Sequence, residues 1–221
     1  PVAISDLLKF GGKRQDAGVS NVADAPAPKG PDPVIVSKAL PKFISALSNR
    51  GAPLLIDFGP VIGTNVAFFG EHLGCKLFIE DLAKDVDRHV RARTRDLLAE
   101  TLARRFTQAD ASVDGVLCWD IFDFLERPAA QALAKEVVRV LRPGGAAMGF
   151  FCTKAVDLAP FTKYEIVQDA SSLRHRHHAG TGGPKQVLQN RDVIKMFDGL
   201  FVSESFLLKS NTREMLLRKR G

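Results

Sequence analysis

From residue 53 onward the chain alternates short apolar runs with segments whose apolar positions recur every three or four residues. The first pattern suits strands buried on both faces, the second helices that cover one stripe. Pro53–Phe58 (PLLIDF) is apolar and stops at a glycine, which predicts a buried parallel strand. Thr64–Leu73 follows as a helix, Cys75–Asp81 as a strand, and residues 85–106 as a long helix with its stripe on Val86, Val90, Leu97, Leu98 and Leu102. Val113–Trp119 predicts another strand, Pro128–Leu141 a helix with proline in its first turn, and Ala146–Cys152 a further buried strand. Asn190 caps a helix over Arg191–Phe197. Phe201–Lys209 and Arg213–Lys219 are strands joined at Ser210–Asn211, a connection too short for a crossover, so they pair antiparallel. Alternating strand and helix predicts an α/β fold, a doubly wound and mostly parallel sheet covered on both faces.

Ahead of this pattern, Lys38–Leu47 reads as a lead-in helix and residues 1–10 as a short amphipathic turn or two. Residues 11–36 carry Gly11, Gly12, Gly18, Gly30, Pro26, Pro28, Pro31 and Pro33, the composition of a linker. The expected division is a flexible extension over 1–36 and one domain over 37–221. The full 221 residues are long enough to bury a core without staples, and 45% hydrophobic with 25% charged residues excludes a disordered chain or a collagen. Only three cysteines occur, Cys75, Cys118 and Cys152, each beside apolar residues. That usage excludes a disulfide scaffold and predicts reduced thiols in a cytoplasmic protein. No apolar run reaches the ~20 residues of a membrane span, and no secretory leader is visible. The net charge of +6 favours anionic partners.

The segment richest in chemistry is Leu54–Asn65 (LLIDFGPVIGTN). A strand ends in Asp57, a turn with Gly59 and Gly63 follows, and then a helix begins. In open α/β sheets ligands bind at this carboxyl rim, and a glycine lets main chain approach a ligand without a Cβ between them. Glu80 and Asp81 end the next strand, roughly 20 residues on, where a carboxylate takes the hydroxyls of a nucleotide ribose. A dinucleotide fingerprint beginning at Gly59 would need glycines where Val61 and Thr64 stand, so a nicotinamide cofactor is disfavoured.

With these residues the chain resembles the class I S-adenosylmethionine-dependent methyltransferases. Asp57-Phe58-Gly59-Pro60-Val61-Ile62-Gly63 matches the first motif, D-x-G-x-G-x-G, except that Val61 replaces the middle glycine. Asp81 matches the acidic end of the second strand, with Glu80 as the alternative register. Asp114, Val116 and Phe122 follow the D-x-V-x-x-x-x-x-L element, and Leu141-Arg142-Pro143-Gly144-Gly145 matches the L-[KR]-P-G-G turn completely. The resemblance covers about residues 50–221 and implies a Rossmann-like, seven-stranded sheet, an S-adenosylmethionine cofactor and a methyl-transfer activity. It implies Gly59 and Gly63 near the methionine moiety, Asp81 on the ribose, and Cys118, Trp119 and Asp120 lining the pocket. Asp57 beside the turn would receive a cationic or hydroxyl group, and Trp119 would stack on adenine or face the sulfonium. The family's third strand, with its adenine-contacting acid, has no counterpart in Arg91–Ala111.

The acceptor side of the family falls here on 153–189. Arg174-His175-Arg176-His177-His178 can bind an anionic acceptor or supply a base, and His175, His177 and Asp120 are the catalytic candidates. This run is otherwise an exposed basic loop or edge strand. It offers no carboxylate or cysteine at ligand spacing, so no metal is expected. The basic residues of 84–105 and of the tail read as solvated faces, with nucleic-acid phosphates the alternative partner. Two further readings remain beside the methyltransferase: a non-catalytic binding or regulatory protein of the same fold, and an RNA-modifying methyltransferase.

Overall fold

The computed structural model of the chain describes residues 32–221. The reading of residues 1–10 and nearly all of the 1–36 extension therefore lie outside the described residues. The chain enters through β1 (Val34–Val36), so the boundary expected after residue 36 falls behind a strand rather than in front of the domain. The order then runs α1 (Ala39–Leu47), β2 (Leu54–Asp57), α2 (Gly63–Leu73), β3 (Lys76–Ile79), α3 (Leu82–Arg91), α4 (Leu98–Ala103), β4 (Val113–Trp119), α5 (Arg127–Val140) and β5 (Leu141–Cys152). It continues with β6 (Val156–Ile166), β7 (Ser172–Lys185), α6 (Asn190–Met196), β8 (Leu200–Leu207) and β9 (Thr212–Lys219).

The main sheet has the order β3-β2-β4-β5-β9-β8. Its first four strands are parallel, and β9 and β8 add antiparallel, as the short connection at Ser210–Asn211 required. This is the doubly wound α/β architecture, but with six strands instead of the expected seven. The continuous helix expected over 85–106 breaks into α3, a 3-10 turn at Arg95–Leu97 and α4. Leu98 and Leu102 spend their apolar surface on helix packing, and Phe106 stacks on Phe58 at 5.4 Å. No apolar run remains there to extend the sheet beyond β3.

Two apolar layers sandwich the sheet. One holds Leu40, Phe43, Phe69 and Phe150 beneath α1 and α2, and the other Leu82, Leu133, Phe122 and Phe151 beneath α3 to α6. Gly115 in β4 allows α1 its close approach, because a Cβ there would lie 2.7 Å from Phe43, Leu47 and Leu55. Ser37 Oγ accepts the Leu40 amide of helix α1 at 3.0 Å, but Lys38 at the N-cap supplies no side-chain cap. Glu214 of β9 replaces it, its Oε2 accepting the amides of Lys38 at 2.7 Å and Ala39 at 3.0 Å.

The LRPGG segment is the start of β5 rather than a turn ahead of it. The register jumps from Val113↔Leu141 to Gly115↔Ala146, so Arg142–Gly145 bulge out of the ladder. Gly144 sits at φ +73°, and a Cβ on Gly145 would crowd the carbonyl of Asp114 at 3.0 Å. Arg142 pairs with Asp114 at 3.1 Å, while Asp114 also accepts the Leu54 amide at 2.8 Å. These two motif elements thus lock β2, β4 and β5 together at the amino edge, remote from the carboxyl rim.

The segment 153–189 forms a long hairpin, β6–β7, joined by β1 into a second antiparallel sheet of order β1-β7-β6. The His/Arg run therefore lies in a strand rather than a loop: Arg174 pairs with both β1 and β6, while Arg176, His177 and His178 pair with β6 alone. The carboxamide of Asn65, in the first turn of α2, clasps the hairpin by donating to the Tyr164 carbonyl and accepting the Ile166 amide, both at 2.8 Å.

Candidate functional site

Three strand ends, of β2, β3 and β4, converge at the carboxyl rim. At the end of β2, Asp57 is buried, and its Oδ1 accepts the Gly59 amide at 2.8 Å and the Trp119 indole N–H at 2.6 Å. Burial pushes its carboxyl up to about 6, against the pull of these two hydrogen bonds, and the negative charge of Asp81 adds to the rise. At the end of β3 the chain turns through Asp81 at φ +40°, and at the end of β4 through Trp119 at φ +47°. Left-handed backbone at non-glycine residues costs of order 1–3 kcal/mol and gathers at functional sites.

Glu80 and Asp81 part company here. Glu80 turns to Arg105, its Oε2 2.6 Å from Nη1, in a network that includes Asp85. Asp81 turns to the cleft, where its Oδ1 lies 3.0 Å from His178 Nε2 while Lys84 reaches Oδ2 at 2.8 Å. Despite the cost of its burial, these partners hold the Asp81 carboxyl below the ordinary range. At the end of β4, Asp120 accepts Lys185 Nζ at 2.6 Å. Asp123 lies 3.6 Å from the same ammonium, and its carboxyl is pushed up to about 7, mainly by burial.

Cys118 is buried behind this rim and its thiol is held well above the ordinary range, chiefly by desolvation, so it stays protonated. Gly63 opens α2 at the surface with nothing within 4 Å of a Cβ placed on it. Val61, at the middle glycine position, is 62% exposed and does not line the rim cavity. The Trp119 indole lies 5.1 Å from the Tyr164 ring and nearly parallel to it, at 5°. His175 packs edge-on against Tyr164, and its ring is held below the ordinary histidine range mainly by burial. Neither His175 nor His177 lines the rim cavity, whereas Asp120 does. Among the described residues no group of three or more His, Cys, Asp or Glu side chains is arranged to hold a metal.

Residues 55–145 match the methyltransferase-domain family. Over this segment the chain is similar to the class I S-adenosylmethionine-dependent methyltransferases. Members of this family are enzymes that take S-adenosylmethionine as their methyl donor. The fold agrees with solved structures. An S-adenosylmethionine-dependent methyltransferase from Clostridium acetobutylicum is 10% identical over 82% of this chain and 92% of its own, with a TM-score of 0.50. A second, from Mesorhizobium loti, is 14% identical over 81% of this chain and 96% of its own, also at 0.50. Comparison with curated protein sequences finds no match.

The methyltransferase donor set fits the cofactor by type: bare main chain at Gly59, an acid on either side of it, and an aromatic wall. The room does not yet fit. A Cβ on Gly59 would meet the Trp119 indole at 3.0 Å, so the space that the glycine spares is filled by tryptophan. The cavity among Gly59, Asp120, Phe161 and His178 measures about 20 Å³, enough for roughly one water, where ligand pockets usually need 300 Å³ or more. Phe161 and Lys185 join the candidate site without having been singled out in the sequence, and His178 joins it from the run read as acceptor-binding or base-supplying. Their only signal was membership of the acceptor segment and, for His178, of the histidine run.

The buried carboxyl of Asp57 gives a pH prediction. A folded value raised from 3.8 to about 6 means that its ionisation opposes folding, so this contribution is fully favourable below pH 4 and is lost as pH rises through 6. Asp57→Asn can still accept both hydrogen bonds. Its stability relative to wild type is expected to improve by about 2 kcal/mol between pH 4 and pH 8, followed by urea unfolding. Identical pH slopes in the two proteins would remove the burial argument.

Proposed function

We propose that this methyltransferase moves a methyl group to a small acceptor held beside the Asp120–Lys185 pair. The observation that carries the reading is the sharing of that pair between two adjoining cavities. Asp120 lines the rim cavity next to Gly59 and Trp119, while Lys185 lines an outer cavity of about 340 Å³ with Cys152, Lys154, Thr162 and Thr212. Thr162 belongs to both walls. An acceptor in the outer cavity would thus meet the donor across Asp120.

S-adenosylmethionine, when bound, supplies an electrophilic methyl on a sulfonium. Gly59 lets main chain approach it, Asp57 takes a cationic or hydroxyl group, and Asp81 takes the ribose hydroxyls. Asp120, oriented by the Lys185 ammonium, receives the proton of an acceptor nucleophile that must lose one. The Tyr164 phenol, raised well above its ordinary value by burial and by the nearby Asp120 charge, stays protonated and cannot serve as the base. Alignment of the two reactants accounts for most of the acceleration, since correct placement is worth about 7–11 kcal/mol.

The test is calorimetry and thermal unfolding with S-adenosylhomocysteine. At 100 times Kd it is expected to stabilise the fold by about 2.7 kcal/mol, raising Tm by roughly 5–10 °C. No heat and no shift at millimolar ligand would sink the donor assignment. The small rim cavity favours one second reading, a non-catalytic protein of the same fold, and that same negative result is the one it expects. A phosphate-binding surface is less supported, because the basic side chains of α3 and α4 are matched locally. Arg88 meets Asp85 at 2.8 Å, Arg91 meets Asp87 at 2.8 Å, and Arg104 meets Glu100 at 3.3 Å.

A further inference from the structure

Three acids stand along the carboxyl rim, and β7 occupies each of them. Asp81, after β3, is held by His178; Asp87, on α3, accepts both the amide and the hydroxyl of Thr181 at 2.6 Å; Asp120, after β4, is held by Lys185. Phe161 of β6 lies beneath, its ring 4.8 Å from that of Phe124 and 6.4 Å from that of His178. Gly180, at φ +148°, lets the strand descend onto the rim, because a Cβ there would sit 3.0 Å from Phe161 and 3.2 Å from Asp87. At the other end of the hairpin Asn65 clasps β6 from α2. A strap fastened at both ends therefore crosses the place where the glycine turn faces the acids.

Two of the three fastened acids, Asp81 and Asp120, are the ones that the donor and acceptor would use. The side chains on the strap compete for the same oxygens: His178 Nε2 sits where a ribose hydroxyl would donate. Trp119, braced by Tyr164 of the strap, covers the bare main chain of Gly59. The geometry points to the β6–β7 strap as an internal competitor for the nucleoside, with His178 as the residue that must leave Asp81 before the cofactor enters. This inference rests on the methyl-donor assignment made above and adds to it a closed state, in which the full donor set is present but engaged with the protein itself.

The test uses the full chain and two variants, His178→Ala and Thr181→Ala, each of which removes a side chain that fastens the strap to a rim acid. Amide hydrogen exchange across residues 178–182 is followed without ligand, and calorimetry is run with S-adenosylhomocysteine. In His178→Ala the exchange is expected to quicken at least tenfold and the affinity to rise at least fivefold. Thr181→Ala, which keeps the His178 contact, should quicken exchange with a smaller gain in affinity, and it supplies the answer if the first variant fails to fold. Binding by wild type with no gain in either folded variant overturns the competitor and leaves the methyl-donor assignment standing. Faster exchange with no heat from S-adenosylhomocysteine in any of the three proteins overturns the methyl-donor assignment, and the competitor with it.

Discussion

Replacing Asp81 by asparagine is expected to weaken S-adenosylhomocysteine binding roughly ten- to hundredfold. The residue sits at φ +40°, a conformation that asparagine tolerates and alanine does not, so the substitution removes charge without straining the turn. A hydrogen bond to a charged acceptor is worth about 1.5–3 kcal/mol, and each 1.4 kcal/mol is tenfold in affinity. The control is Glu80→Gln next door. Glu80 spends its carboxylate on Arg105 at 2.6 Å, so its loss should lower stability and leave affinity alone. Calorimetry on both variants separates the two registers that the acidic pair leaves open. Wild-type affinity in Asp81→Asn would assign the ribose contact to another residue.

The second large effect concerns stability. Glu214→Ala is expected to cost about 3 kcal/mol and to lower Tm by roughly 6–12 °C, read by thermal and urea unfolding. Glu214 is fully buried, and it caps α1 from across the sheet through the amides of Lys38 and Ala39. Alanine would strand both amides without water, at about 1–3 kcal/mol for each unsatisfied group, and would also remove a negative charge from a helix N-terminus. Glu214→Gln keeps an oxygen acceptor in place and should recover most of the loss. Full stability in the alanine variant would show that water reaches these amides. Ligand affinity should stay the same in both variants, because the cap lies away from the rim.

The elements and their order were legible in the chain. Runs such as PLLIDF and VDGVLCW are apolar without alternation, which only strands covered on both faces tolerate, and each is followed by a helical stripe. The motif residues were legible too, because glycines and acids at strand ends leave a local signature. The hairpin over 156–185 was not. Its residues mix histidine, arginine and glycine, and nothing in their order says that they cross the rim rather than face solvent.

The sequence by itself determined a doubly wound sheet, the glycine turn after Asp57, and an acidic pair one strand further on. It left Arg91–Ala111 without a clear apolar run, but the resemblance implied seven strands and the sheet has six. Only the tertiary structure decided which acid of the pair faces the cleft, since the left-handed turn at Asp81 sends Glu80 to Arg105 and Asp81 to His178. Tertiary structure also decided that Trp119 lies on Gly59 and that Lys185 meets Asp120. Local pattern is set by steric and hydrophobic periodicity within a few residues. The pairing of polar atoms 62 positions apart, as between Trp119 and Asp57, or 97 apart, as between His178 and Asp81, depends on how whole strands are laid across one another.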